Sequence, residues 1–190
     1  MNIKAKKSLG QNFLIDREVL EQIVSTVDIA NKEILEIGPG SGNLTSYILK
    51  KNPTKVFVIE KDDELALLLN EKFNNQIEII NDDVLKITED KISNQKLVVF
   101  GNLPYNISTK ILSKWIGNID KIFWFESLVL MFQREVADRI IAESNNSKYG
   151  RLSILTNWKL NVKKILDIKP DSFSPRPKID STLLLFTPKK

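Results

Sequence analysis

The stretch Leu97-Val98-Val99-Phe100-Gly101-Asn102-Leu103-Pro104-Tyr105 is an apolar run that ends abruptly in a polar turn. A short run of β-branched and aromatic residues bounded by Gly and Pro predicts a buried strand. The turn then follows the carboxyl end of that strand, which is the edge where open α/β sheets bind their ligands. The stretch therefore favours an α/β sheet and marks the edge where its site should lie.

Strands and helices alternate on both sides of this stretch. Further strands are predicted at Glu33–Ile37, Lys55–Ile59, 77–80, 127–132 and 182–186, with extended chain at 163–168. Helices are predicted after an N-cap at Asp16, over 43–50, around 65–73, briefly within 84–96, and over 107–116, 136–141 and 152–160. Strands that alternate with helices imply parallel βαβ units. We therefore predict a doubly wound α/β sheet of about seven strands. Its last strand should run antiparallel, because no crossover helix precedes it.

Length and composition predict one soluble domain over residues 1–190. Hydrophobic residues make up 42% of the chain and charged residues 27%, which is ordinary for a globular protein. No apolar run approaches the roughly 20 residues that span a bilayer, and no apolar segment follows the basic amino terminus. These features predict a cytoplasmic protein without membrane contact.

The chain contains neither Cys nor His. Their absence excludes Ser-His and Cys-His catalysis and zinc-thiolate sites, so no metal site is predicted. The net charge of +4 weakly favours a polyanionic partner, although a lysine-rich solubilising surface explains it equally well.

A glycine-rich turn and three acidic residues favour a nucleoside cofactor. Gly38-Pro39-Gly40-Ser41-Gly42 lies between a predicted strand and a predicted helix, with Glu36 just before it. Glu60 ends the second strand 22 residues after Gly38, where a carboxylate can bind a ribose diol. Asp83 follows the third strand and could accept from an adenine amino group. The glycine spacing differs from the dinucleotide pattern and no phosphate-cradle Lys is present, which favours S-adenosylmethionine over NAD. A glycine turn needed only for packing is the alternative.

Asn102, Leu103, Pro104 and Tyr105 are the predicted catalytic residues. The Asn102 side chain and the Leu103 carbonyl can accept both hydrogens of an exocyclic amino group, and Pro104 restricts the direction of the carbonyl before it. The Tyr105 ring can stack on a planar base. A turn in which the Asn caps the backbone and the Tyr packs on the core is the alternative.

Six blocks of sequence resemble, in order and over nearly the whole chain, the motifs of the ribosomal RNA adenine dimethyltransferases of the KsgA type. The blocks lie at residues 10–14, 36–40, 101–108, 133–137, 149–153 and 175–181. The resemblance implies a Rossmann-like class I methyltransferase fold and dimethylation of N6 in two adjacent adenosines near the 3′ end of small-subunit rRNA. The immature 30S particle would be the partner, in small-subunit maturation, and the protein would be a monomer.

The resemblance also implies which residues bind the cofactor and how the chain is organised. The cofactor residues would be Asn12, Leu14, Gly38, Gly40, Glu60, Asp83 and Asn102. Members of the family normally continue into a small helical carboxyl-terminal domain, which is absent from the sequence up to Lys190.

Substrate binding is expected to involve aromatic rings and basic side chains. Tyr105 would stack on one face of the target adenine and Phe173 on the other; a Phe173 that fills the edge of the core is the alternative. Arg134 and Arg151 would neutralise phosphates. So would Lys4, Lys6, Lys7, Arg139 and Lys148, unless these are ordinary solvated surface charges.

Two other functions stay open at this point. One is the adenine methylation of 23S rRNA that confers macrolide resistance, because those enzymes share the Asn-x-Pro-Tyr turn. The other is an RNA-binding module that keeps the fold without turnover.

Overall fold

A computed structural model describes residue 6 and residues 10–118 and 123–189. Lys4 and Lys7, which were predicted to contact RNA, lie outside the described residues. The described part of the chain forms a seven-stranded sheet with helices on both faces, and a separate two-stranded sheet.

The strands are β1 (Phe13–Leu14), β2 (Glu33–Ile37), β3 (Lys55–Ile59), β4 (Glu78–Ile80), β5 (Leu97–Asn102), β6 (Phe125–Gln133), β7 (Leu160–Ile168), β8 (Phe173–Ser174) and β9 (Ser181–Pro188). The helices are α1 (Arg17–Val24), α2 (Asn43–Leu49), α3 (Asp63–Phe73), α4 (Ser108–Gly117), α5 (Arg134–Ile141) and α6 (Arg151–Lys159).

The large sheet has the strand order β4-β3-β2-β5-β6-β9-β7. All pairs from β4 to β6 are parallel, whereas β9 runs antiparallel to both of its neighbours, β6 and β7. The predicted seven-stranded, mostly parallel sheet with an antiparallel last strand is therefore confirmed. From β2 the chain adds β3 and β4 on one side and then returns to add β5 on the other side. The carboxyl ends of β2 and β5 therefore form the crevice where such folds bind ligands.

Two apolar cores lie on opposite faces of this sheet. Successive strand residues alternate between them: Val98 and Phe100 pack with α1, α2 and α3, whereas Leu97 and Val99 pack with α4, α5 and α6. This alternation follows from the period of two in a strand and explains why the central strands are apolar throughout.

Two features differ from the sequence prediction. The expected helix within 84–96 is a single 3₁₀ turn, Glu89–Lys91. The two-stranded sheet was not predicted at all: Phe13 pairs with Ser174 and Leu14 with Phe173, in antiparallel register. A two-residue ladder between segments this far apart leaves no periodic signal in the sequence.

Candidate active site

A cavity of about 210 Å³ opens at the carboxyl ends of the parallel strands. Its lining includes the amino-terminal segment at 10–14, the glycine loop at 38–41 with the residues just before it, the end of β3 at 59–61, residues 82–85, and the turn at 101–107. Every residue predicted to bind the cofactor lines this cavity, as do Leu103, Pro104 and Tyr105. The fold therefore brings together residues that are spread over about half the chain.

The glycine loop uses its missing side chains in two different ways. Gly38 has a φ of +64°, and a Cβ there would meet only the Asn102 carbonyl oxygen, at 3.9 Å. At Gly40, by contrast, a Cβ would lie 2.7 Å from the Phe13 ring. Space for a ligand therefore exists beside Gly38, whereas the space at Gly40 is filled by the protein itself.

Glu60 is buried at 6% exposure, and its carboxylate holds the loops together. One oxygen accepts from the Gly40 amide at 3.1 Å and the other from the Asp62 amide at 2.9 Å. Burial raises the pKa of Glu60 despite these bonds. A carboxylate offers about four acceptor sites, so Glu60 can still accept from a ribose hydroxyl.

Glu36 is a second buried acid beside the glycine loop, with 2% exposure. Burial raises its pKa to about 7, and the nearby charge of Glu60 acts in the same direction. The Thr45 hydroxyl donates to a Glu36 oxygen at 2.6 Å, which favours the charged form. Thr45 was not predicted from the sequence, because its contact depends on how α2 packs under the loop.

Asp83 carries a charged carboxylate at the rim of the cavity. The ammonium of Lys61 lies 2.9 Å from one oxygen, and the Leu85 amide donates to the other at 3.0 Å. The Lys61 hydrogen bond holds the pKa of Asp83 below its usual value, with the Leu85 amide contributing. Asp83 is therefore an ionised acceptor at neutral pH.

The Asn102 amide is held in one orientation at the end of β5. Its Nδ2 donates to the Asn12 carbonyl at 2.8 Å, which fixes the orientation of the amide and leaves Oδ1, in the same plane, directed away from Asn12. The next residues are also fixed, because the Pro104 carbonyl accepts from the amides of Ile107 and Ser108, both at 3.0 Å, where α4 begins. The turn therefore presents a preset acceptor next to the cavity.

Tyr105 has a hydrogen-bond partner that the sequence did not reveal. Its hydroxyl lies 2.6 Å from the Ser181 Oγ at the start of β9. Burial raises the pKa of Tyr105, so the phenol stays protonated at neutral pH and is no base.

With this geometry established, comparison with known proteins decides the family. The family model described as "Ribosomal RNA adenine dimethylase" matches residues 2–190. The chain belongs to the ribosomal RNA adenine dimethylase family. The family predicted from the sequence blocks is thereby confirmed.

Individual relatives of this family agree with that assignment. "Ribosomal RNA small subunit methyltransferase A" of Pelagibacter ubique (strain HTCC1062) is 78% identical over 190 residues, which cover 100% of this chain and 72% of the relative. The crystal structure of a dimethyladenosine transferase from Plasmodium falciparum has a TM-score of 0.83 and 31% identity, covering 93% of this chain and 63% of that one. The crystal structure of the 23S rRNA methyltransferase ErmE has a TM-score of 0.81 and 25% identity, and the match covers 94% of this chain and 70% of that one. The methyltransferase fold is therefore confirmed.

The amino-terminal segment of this family member forms one wall of the cavity and is tied down at several points. Asn43 Nδ2 donates to the Leu14 carbonyl at 2.8 Å. The Asp62 carboxylate accepts from Gln11 Nε2 at 3.0 Å and lies 2.8 Å from the Lys6 ammonium. Asn43 and Asp62 were not predicted, because each acts through a residue far away in the sequence.

The structure places Phe173, which was predicted to stack on the target adenine, away from the cavity. Phe173 is 3% exposed, pairs with Leu14 across the small sheet, and packs in the core that contains α1 and α2. It does not line the cavity. The alternative interpretation, a phenylalanine that fills the edge of the core, matches its position, because β8 turns its ring inward.

Those predicted RNA-binding side chains that the structure describes lie outside the cavity lining. Arg134 is half exposed, with one nitrogen 3.4 Å from an Asp180 oxygen, and Arg151 is exposed at the first turn of α6. Other basic candidates form ion pairs: Lys6 with Asp62, Arg139 with Glu135, and Lys148 with Asp138. The pairs of Arg139 and Lys148 are exposed, and such pairs are weak and can exchange for phosphate contacts, whereas Lys6 is paired with a buried carboxylate. The roles of all these residues in RNA binding stay predictions.

The described residues hold neither a membrane-spanning helix nor a metal-binding group of side chains. None of their helices combines the length and the apolar character needed to cross a bilayer. Within that part of the chain, no group of three or more Asp or Glu side chains is placed to hold a metal ion.

Proposed function

We propose that this chain transfers methyl groups from S-adenosylmethionine to N6 of two adjacent adenosines near the 3′ end of small-subunit rRNA. The substrate would be the immature 30S particle during small-subunit maturation, in the cytoplasm, and the enzyme would act as a monomer. The observation that carries the proposal is the Asn102 amide, which lines the cavity and is held in one orientation by the hydrogen bond from its nitrogen to Asn12. The 78% identity with a small-subunit rRNA methyltransferase supports the choice of substrate.

The cavity fits S-adenosylmethionine in its chemistry. Open space lies beside Gly38, and acceptors for a ribose and for an adenine amino group lie at Glu60 and Asp83. Asn12 and Leu14 would cover the ligand, because their segment forms the cavity wall. When bound, S-adenosylmethionine supplies a methyl group on a sulfonium, an electrophile that needs no activation by the protein.

The protein's own task is to prepare the adenine amine, whose lone pair is delocalised into the ring. Asn102 Oδ1 and the Leu103 carbonyl would accept its two hydrogens and turn the lone pair toward the methyl group. The Tyr105 ring would stack on the base, which must leave the RNA stack to reach the cavity. Holding both reactants in line then provides much of the acceleration.

No strong base is required, because the methylated amine is acidic enough to lose its proton to water. This matches a chain that has no His and a Tyr105 that stays protonated. After the first transfer only one hydrogen remains on N6, so the pocket must accept a methyl group in place of the second.

A second candidate is adenine methylation of 23S rRNA. The similarity to ErmE, with a TM-score of 0.81, favours it, but the identity there is 25%. The far higher identity to the small-subunit relative argues for the first candidate. A non-catalytic RNA-binding module is disfavoured by a cavity in which the catalytic turn and the glycine loop meet.

The test is transfer of a radiolabelled methyl group from S-adenosylmethionine to purified subunits that lack this modification. We expect label in the RNA of immature 30S particles, recovered as N6,N6-dimethyladenosine after digestion. Label only in the large-subunit rRNA would identify the second candidate. Binding of 30S particles without any transfer would identify an RNA-binding module and refute the proposal.

A further inference from the structure

The contact between Tyr105 and Ser181 joins the catalytic turn to the start of β9. The two oxygens are 2.6 Å apart, and Ser181 is 0% exposed. On the Ser181 side this hydrogen bond is shielded from water, which strengthens it relative to an exposed one. The two residues are 76 positions apart, so only the fold brings them together.

Ser181 is itself held on both sides. In the sheet it pairs with Gln133 of β6 and with Ile168 of β7. The residue before it, Asp180, accepts from the Arg134 amide at 3.0 Å, and its carboxylate lies 2.8 Å from the Lys169 ammonium. The backbone of Ser181, from which the hydroxyl extends, is therefore held by the sheet and not by a loop.

Tyr105, in contrast, stands on a short turn between β5 and α4. Its carbonyl accepts from the Ser108 hydroxyl at 3.3 Å, which fixes the backbone but leaves the two side-chain torsions free. A ring that must be immobilised when a base binds weakens that binding, and a ring already held does not. The hydrogen bond at the far end of the ring removes this freedom in advance.

We propose that Ser181 is a positioning residue that holds the Tyr105 ring at the angle needed for stacking on the target adenine. This inference rests on the proposed function, in which Tyr105 contacts the base. If the ring acted by its flat face alone, Tyr105→Phe would be as active as the wild type. If Ser181 holds the ring, Tyr105→Phe and Ser181→Ala remove the same hydrogen bond and should have the same effect.

The experiment is a double-mutant cycle on the 190-residue chain with immature 30S particles as substrate. We expect each single variant to raise KM for the particle roughly three- to tenfold, the range of one hydrogen bond, with a smaller effect on kcat. The double variant Ser181→Ala/Tyr105→Phe should be no worse than the poorer single variant, because the hydrogen bond can be lost only once.

Thr182→Val is the matched control. Thr182 is the next residue of β9 and equally buried, and its hydroxyl donates to Asp167 at 2.7 Å without contacting Tyr105. Its loss should lower the melting temperature about as much as Ser181→Ala does and leave KM unchanged. Multiplicative effects of Ser181→Ala and Tyr105→Phe, or an equal rise of KM in Thr182→Val, would overturn the proposal.

A second measurement does not depend on turnover. NMR of protein with ¹³C-labelled tyrosine rings should show conformational averaging of Tyr105 in Ser181→Ala but not in Thr182→Val. Ring signals of Tyr105 that match the wild type in Ser181→Ala would refute the positioning role. A wild-type chain that transfers no methyl group would count against the proposed function alone, since this measurement still decides the role of Ser181.

Discussion

Asn102→Ala tests the proposed chemistry most directly, because this amide has two separable roles. Its nitrogen ties the amino-terminal segment to the catalytic turn, and its oxygen is the proposed acceptor for the adenine amine. Removing the side chain abolishes both. Asn43→Ala is the control that removes only a tie to the amino-terminal segment. The Asn43 amide donates to the Leu14 carbonyl of that segment at the same distance, 2.8 Å, and has no proposed role in the chemistry.

The two roles predict effects of different size on stability, cofactor binding and turnover. Each variant loses one amide-to-carbonyl hydrogen bond, worth about 1 kcal/mol net. That loss should lower the melting temperature by roughly 2–4 °C in a chain of this size. It should raise the Kd for S-adenosylhomocysteine by up to about fivefold if the whole bond contributes to closing the cavity. One preset electrostatic partner of a developing charge contributes on the order of 10²-fold to turnover. Only Asn102→Ala should show a fall in kcat of at least about tenfold.

Three measurements on both variants decide the question: thermal unfolding, calorimetric titration with S-adenosylhomocysteine, and single-turnover methyl transfer to immature 30S particles. We expect the first two to change equally and the third to change only in Asn102→Ala. An equal fall of the transfer rate in Asn43→Ala would show that Asn102 acts by holding the amino-terminal segment. The acceptor role would then be wrong.

Three further predictions follow from the buried residues around the site. Because the folded pKa of Glu36 is about 7, above its ordinary value of 4.5, its contribution to stability should be full below pH 4.5 and fall as the pH rises to 7. Glu36→Gln should remove this decline, up to roughly 3 kcal/mol, in melting curves recorded across that range. Gly38→Ala and Gly40→Ala should both lower stability by roughly 1 kcal/mol or more, because φ is +64° and +57° at these positions, and Gly40→Ala should lower it further by displacing the Phe13 ring. Gly38→Ala, the less destabilising of the two in melting curves, should weaken S-adenosylhomocysteine binding in calorimetry; an unchanged Kd in Gly38→Ala would contradict this. Phe173→Leu should cost about 1 kcal/mol or more without raising KM for the 30S particle, and a selective rise of KM would restore its role in stacking.

Much of the fold was predictable because the signals are local. The strand Glu33–Ile37 and the strand Lys55–Ile59 were predicted with the bounds that the structure shows, since each is a short apolar run followed by a polar turn. The Asp16 N-cap was also correct, as its side chain accepts from the amides of Glu18 and Val19. The helix expected within 84–96 was wrong, because that segment has apolar residues without a sustained helical period.

In the candidate site, too, some features could be predicted from the sequence and others could not. Glu60 and Asp83 could be assigned to the cavity from sequence, because the carboxyl ends of neighbouring parallel strands must meet at one edge. The long-range partner of Glu60 could not, since the Gly40 amide reaches its carboxylate only after the glycine loop packs against the end of β3, whereas the Asp62 amide is a local partner two residues away. Phe173 shows the limit most clearly: nothing local distinguishes a ring in a loop that faces solvent from one that fills the core.

The sequence alone therefore determined the order of the elements, the parallel sheet, the family and the residues at the strand ends, because periodicity and strand-end chemistry act over a few neighbouring positions. Only the tertiary structure decided which of these residues touch. Asn102 meets Asn12 across 90 positions and Tyr105 meets Ser181 across 76. Such contacts depend on how segments pack after the chain has folded, and hydrogen bonds between distant residues leave no pattern in the sequence around either partner.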